Sequence, residues 1–271
     1  MNKVCSFLLL SFASLSALAQ SETQPEIITD RPSQTESAFV MPRGYFQIET
    51  GVLYSQGGRT LQAADGRVRF LESEQFTYNT SLFRYGLTDK LELRLIQGIG
   101  NEKFSTRSTG VQLGSTMVGM KLHLADAMGA RPQISFSGLI GGPVFSNEES
   151  GTQADFRLNF QHSLSERLVL GYNLGGTLEN DANDFNFLYT FVLGYNLTPK
   201  LYSYAEVYGS FSELNASDNG NLPANHEFDL GLAYRVNSHL QLDIFGGTAI
   251  SDIGVNAIFG LGLSFRIPRK N

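Results

Sequence analysis

The chain has 271 residues, with 20 Lys and Arg against 26 Asp and Glu, and only 17% of it is charged, where globular proteins average about 25%. Mild acidity excludes the basic footprint of a nucleic-acid-binding protein, and a single cysteine excludes a disulfide-stapled secreted domain. Twenty-eight glycines, 20 phenylalanines and 11 tyrosines without a tryptophan fit a sheet with one greasy face and one small-residue face, and fit a helical enzyme poorly.

Residues 1–19 read as a signal peptide. Lys3 supplies the positive start, Val4 to Ala19 is an apolar and small-residue run, and Ala17-Leu18-Ala19 presents a small-x-small cleavage site before Gln20. The run is too short for a spanning helix, which needs about 20 apolar residues, and no later segment approaches that length. Cys5 lies inside it, so the exported chain has no cysteine, and loss of Lys3 leaves 19 basic against 26 acidic residues. Residues 20–43 precede the first strand. They are expected in the periplasm or folded up into the barrel, with Asp30 and Arg31 as candidates to pair with lumen charges in a plug. An ordered cap on the periplasmic mouth is an equal alternative.

From Gly44 onward, apolar residues recur at every second position, as in a strand with two different faces. Phe46, Ile48, Val52 and Tyr54 oppose Gln47, Glu49 and Gly51, and Phe259, Leu261, Leu263, Phe265 and Ile267 oppose Gly260, Gly262, Ser264 and Arg266. Twelve such segments are predicted near 45–55, 70–85, 91–98, 111–124, 132–145, 154–163, 168–178, 185–197, 201–211, 226–236, 240–248 and 256–267. Most reach the roughly 9–11 residues that a tilted strand needs to cross hydrocarbon.

Four connections share one shape. Leu87-Thr88-Asp89-Lys90-Leu91, Leu164-Ser165-Glu166-Arg167-Leu168, Leu197-Thr198-Pro199-Lys200-Leu201 and Val236-Asn237-Ser238-His239-Leu240 each set a polar turn former and a basic residue between aliphatic strand ends. Ala125–Arg131 is a fifth short link. Longer polar links at 56–69, 99–110, 146–153, 179–184, 212–225 and 249–255 alternate with them. An even strand number, with short turns at one end and long loops at the other, describes a transmembrane antiparallel up-and-down β-barrel of the bacterial outer membrane, an all-β fold over residues 44–268 with a tail at 269–271. A soluble barrel also alternates, but its polar face would be heavily charged; here Gly, Ser, Asn, Gln and Thr dominate that face. In a bilayer only a closed barrel pairs every backbone N–H and C=O without helices.

With the greasy face toward lipid, Glu49, Glu92, Arg94, Lys121, Asp155, Arg157, Glu206, Asp229, Arg235 and Asp243 point inward, because Arg or Lys at the lipid-facing midplane costs about 2–4 kcal/mol. These charges would select solutes at a constriction, or they would simply pair and fill the interior, the commoner case for buried charge. Twelve strands fall between the eight that leave room only for side chains and the 16–18 that enclose an aqueous channel. Tyr204 and Tyr208 share the inner face with Glu206.

Catalysis is expected to be absent. His123, His162, His226 and His239 have no serine partner at triad spacing, and no Gly-x-Ser-x-Gly elbow occurs. Loops at Glu148-Glu149, Glu179-Asn180-Asp181 and Asn183-Asp184 are rich in oxygen ligands but match no metal-loop spacing, so neither metal nor cofactor is expected.

Ile28-Thr29-Asp30-Arg31-Pro32-Ser33-Gln34-Thr35-Glu36-Ser37, followed by Pro42-Arg43-Gly44-Tyr45-Phe46-Gln47-Ile48-Glu49, resembles the outer-membrane family named for the meta-pathway of phenol degradation, also called transporters. Leu91-Glu92-Leu93-Arg94, Gly119-Met120-Lys121, Gly142-Pro143 and Ala205-Glu206-Val207-Tyr208 look like the same family. The resemblance implies a barrel that passes small, often aromatic or apolar, compounds. Outer-membrane barrels generally end on an aromatic residue read by the barrel-assembly machinery, and here Phe265 is followed by six more residues. The expected function is a passive channel whose partners are outer-membrane lipids, a small solute and that machinery. A non-conducting structural or adhesive barrel is the main alternative, and an outer-membrane lipid hydrolase the third.

Overall fold

The computed structural model describes residues 25–62, 68–104, 107–108, 110–142, 152–179, 184–212, 224–251 and 254–267. The signal peptide, residues 20–24, the tail, and the loop residues Glu148, Glu149, Asn180, Asp181 and Asn183 lie outside these. The described residues form twelve barrel strands: β1 Phe46–Gln62, β2 Val68–Gly86, β3 Leu91–Phe104, β4 Thr116–Ala125, β5 Gln133–Gly142, β6 Gln153–Ser163, β7 Leu168–Glu179, β8 Asp184–Asn196, β9 Leu201–Ser212, β10 Ala224–Arg235, β11 Leu240–Ala249 and β12 Gly254–Arg266. Each pairs antiparallel with its sequence neighbours, and β12 closes on β1 with Phe265 opposite Ile48. Closure leaves no strand edge, as a lipid environment demands. No helix among the described residues is long and apolar enough to cross a membrane.

The four similar turns close in one way. The side-chain oxygens of Thr88, Ser165, Thr198 and Asn237 accept the backbone N–H two residues on (Lys90, Arg167, Lys200 and His239) at 2.8–3.2 Å. Three also take the N–H three residues on. A short polar side chain mimics the backbone and holds the reversal.

Alternation sorts the two faces inside out. Val118, Ile140 and Leu230 are about half exposed on the outside, while Lys121, Asn159, Asn173 and Asp229 are fully buried within. On the inner face, aromatic rings lie over glycines of the neighbouring strand: Tyr202 over Gly194, Tyr204 over Gly231 and Phe245 over Gly260. A Cβ at any of these glycines would collide with the ring, so each pair lets a large side chain lie flat against the wall.

Three boundaries differ from the sequence reading. Residues 56–69 and 99–110 were expected as loops, yet β1 and β2 stay paired as far as Gln62 and Val68 and β3 runs to Phe104. Apolar alternation fades in the sequence there, while backbone pairing continues. The segment 111–115 was expected to begin a barrel strand. Instead Gln112–Leu113 pairs briefly with β3, as does Arg107–Ser108, and β4 proper starts at Thr116.

Candidate functional site

The short turns mark the periplasmic end of the barrel, and the inner face near that end carries most of the charge. Residues 25–43 run through the lumen at this level, with Ile27, Asp30, Thr35, Ala38 and Met41 buried. An extended segment exposes backbone N–H and C=O groups that need partners once removed from water, and the wall supplies them.

On the β1–β4 side the wall is a charged lattice. Arg84 forks onto Glu92 (Nε–Oε1 2.7 Å, Nη2–Oε2 2.8 Å) and reaches Glu49 with Nη1 at 2.7 Å. Asp30 sits among three cations, at 2.7 Å from Arg94, 2.9 Å from Lys121 and 3.7 Å from Arg84. Glu36 pairs with Arg94 at 2.5 Å and Lys121 at 3.3 Å. Glu49 accepts the N–H groups of Asp30 and Arg31, and Glu92 that of Met41.

On the β6–β11 side the wall is acidic. Glu206 accepts the N–H of Gln34 at 2.7 Å and of Thr35 at 2.6 Å, together with the Thr35 hydroxyl, which also meets Thr190. Asn173 grips both backbone groups of one residue, accepting from the Glu36 N–H and donating to the Glu36 carbonyl. Arg31 pairs with Asp243 at 3.0 Å. Arg157 is held by Asp155 and donates to the Gln34 carbonyl. At the mouth, Arg266 donates to the carbonyls of Glu26 and Pro25, and Arg235 pairs with Glu26 at 2.7 Å.

The segment is therefore an electrostatic complement of the wall. Its carboxylates Asp30 and Glu36 meet Arg84, Arg94 and Lys121; its Arg31 guanidinium meets Asp243, and its free N–H groups meet Glu49 and Glu92 on one side and Glu206 on the other. Asp30 and Glu36 sit outside the spanning strands. Burial alone would raise both carboxyls, but Arg84, Lys121 and Arg94 outweigh it at Asp30, and Arg94, Lys121 and Arg157 outweigh it at Glu36. Asp30 is held below its ordinary value and Glu36 well below.

All ten charged residues singled out on the inner face lie there. Glu49, Glu92, Arg94, Lys121, Glu206, Asp229 and Asp243 are buried, and Asp155, Arg157 and Arg235 are half-buried. Nine hold partners within the lumen or its mouth, whereas both Asp229 oxygens lack a hydrogen bond among the described residues. Arg84 is the residue that sequence reasoning missed, although it is the hub of the lattice. Its signal was present: an arginine between Phe83 and Tyr85 shares a parity with no lipid-facing neighbour. No group of three His, Cys, Asp or Glu among the described residues could hold a metal ion.

Apolar side chains interrupt the charges on the inner face. Leu82 pairs with Ile96, which pairs with Met117, and on the opposite wall Val192, Tyr204, Phe245 and Ile258 pack together with Leu53 and Tyr202. Tyr202, Tyr204 and Val192 lie on the periplasmic side of Glu206 or level with it, Leu53, Phe245 and Ile258 lie farther from the short turns than Glu49 and Asp243, and residues 25–43 form a floor at the periplasmic end.

Residues 29–267 match the model of the family described as "Putative MetA-pathway of phenol degradation". Among solved structures, an outer membrane channel from Pseudomonas putida F1 is similar with a TM-score of 0.65 and 13% identity, covering 87% of this chain and 100% of that one. The transport unit of the autotransporter AIDA-I from Escherichia coli has a TM-score of 0.56 and 14% identity over 94% and 97% of the two chains. The translocator domain of the autotransporter NalP from Neisseria meningitidis has 0.53 and 12% over 83% and 90%. At these identities the likeness is one of fold. No curated protein matches in sequence.

Proposed function

We propose that this chain, which belongs to the family described as "Putative MetA-pathway of phenol degradation", is a passive channel of the outer membrane for small, apolar or aromatic solutes. One observation carries the reading: apolar side chains set among the polar ones on the inner wall of the barrel. Leu53, Leu82, Ile96, Met117, Phe245 and Ile258 turn toward the lumen, and an inner face that served only to fill with water would have no use for them. The similar barrel from Pseudomonas putida F1 is named a channel, which supports the reading without setting its solute. No catalytic role belongs to it.

A filled floor favours a second reading, a non-conducting barrel that works through its loops. Proteoliposome flux separates the two. With the mature chain inserted, toluene or phenol should equilibrate faster than across protein-free vesicles, and sucrose should not. Equal rates for every solute with and without the protein would leave the non-conducting barrel.

A further inference from the structure

A pocket of about 200 Å³ lies between the luminal segment and the β6–β11 wall, near the periplasmic mouth. Its wall is continuous in register: Gln161 opposes Gly171, which opposes Val192, and Asn196 opposes Tyr202, which opposes Ala233. Gly171 and Ala233 are the hollows in this row, where larger residues would fill the space. Val169, Val192 and Ala233 on the wall, with Ile27 and Pro32 on the segment, give it apolar sides. A cavity of about 150 Å³ lined by aliphatic groups holds benzene, so this one holds a single ring and one substituent.

Its polar edge is uncommitted. Asn196 and Gln161 are half-buried and make no side-chain hydrogen bond among the described residues, and Arg235 Nε is buried without a partner. Buried polar groups in native structures are nearly always satisfied, which makes Arg235 Nε the orphan to be explained, and apolar sides beside convergent polar groups are the usual form of a small-molecule site. Charge sets the occupant's class. Arg31 and Arg235 are already balanced by Asp243 and Glu26, and Glu36 by Arg94, which leaves no net cation to hold an anion.

We propose that this pocket binds an uncharged one-ring molecule carrying one hydroxyl or carbonyl, its ring on Val169, Val192 and Ala233 and its substituent at Asn196, Gln161 and Arg235 Nε. The assignment rests on the channel reading and extends it: the pocket is where a solute pauses on the periplasmic side, and it sorts solutes by one polar group.

Three probes of one ring size test it: benzyl alcohol, toluene and benzoate, by equilibrium dialysis against the purified mature chain in detergent. Ala233→Phe, which fills the pocket, serves as the blank for micelle partitioning. The parent should retain benzyl alcohol at least tenfold better than Ala233→Phe, and severalfold better than toluene or benzoate. Asn196→Leu should erase the preference for the alcohol over toluene. Undiminished benzyl alcohol binding in a folded Ala233→Phe protein, or equal retention of the three probes by the parent, overturns the proposal. If Ala233→Phe does not fold, Asn196→Leu decides alone: an unchanged alcohol preference overturns it. Flux in vesicles keeps the two readings apart. Binding without flux overturns the channel and leaves the pocket, whereas flux without binding overturns the pocket and leaves the channel.

Discussion

Arg31 reaches Asp243 across a floor of two glycines. Its guanidinium lies over Gly51 and Gly262, which oppose each other on β1 and β12, and Asp243 is the next partner along, opposite Gly262 on β11. Nη2 stands 3.0 Å from Oδ1 and Nε 3.4 Å from Oδ2. Any Cβ at either glycine would occupy the guanidinium's place. Three strands thus build a berth for one side chain of a segment that is itself outside the sheet.

Asp243→Asn should therefore loosen the luminal segment without harming the barrel. A hydrogen bond to a charged group contributes about 1.5–3 kcal/mol, so the undocked fraction should rise at least tenfold. Cys5 is the only cysteine in the sequence, so in a chain expressed without residues 1–19 Ser33→Cys gives a single labelling site. Its reaction with a periplasmic-side maleimide should quicken by that factor in Asp243→Asn, and an unchanged rate would mean Arg31 is not part of the latch.

Arg84→Met tests the lattice itself. The replacement strips Glu49 and Glu92 of a guanidinium that is 1% exposed, and breaking a buried charge pair typically costs about 3–5 kcal/mol. The urea midpoint of the barrel in detergent should fall markedly. Arg157→Met, at a half-buried pair, should shift it much less. Similar shifts for both would show that burial of the lattice is not what makes Arg84 matter.

Arg84 also marks where the sequence stopped being legible. Over residues 46–54, 116–124, 185–197 and 258–266 the two-residue period is unbroken, and the inner-face parity of these stretches followed from it. In β2 the ladder slips between Thr77 and Asn79, so the parity read from one end points the wrong way at the other, and Arg84 was not assigned. Toward the long loops the two-residue period fades in the sequence, which hid the paired ends of β1, β2 and β3. The luminal segment has no period at all. Its course depends on where wall carboxylates meet its N–H groups, such as Glu206 beneath Gln34 and Thr35, a relation between residues 172 positions apart that pattern alone does not encode.

Deleting residues 25–43 should leave an inserted barrel. Strand pairing is complete without the segment, Arg84 still bridges Glu49 and Glu92, and the stranded charges would hydrate in an open lumen. In planar bilayers the deleted chain should give discrete steps severalfold larger than the parent. Identical steps would show that the floor does not limit passage, and failure to insert would make the segment part of the folding core.

Acid should release the segment, but only in strong acid. Asp30 and Glu36 have carboxyls depressed on docking from ordinary values of 3.8 and 4.5. A depressed carboxyl stabilises the docked state fully above its undocked value and loses that contribution as pH falls through the docked one. The share of docking that these two carboxylates hold should be unchanged from pH 7 to about 5 and then weaken progressively below about 4.5. In the Glu36→Gln variant that carboxyl's share is absent at every pH, so its docking should be weaker at pH 7 and less sensitive to acid. Limited proteolysis of residues 25–43 against pH, with an acid-tolerant protease, reads this directly. Release already complete at pH 6 would require a titrating group other than Asp30 and Glu36.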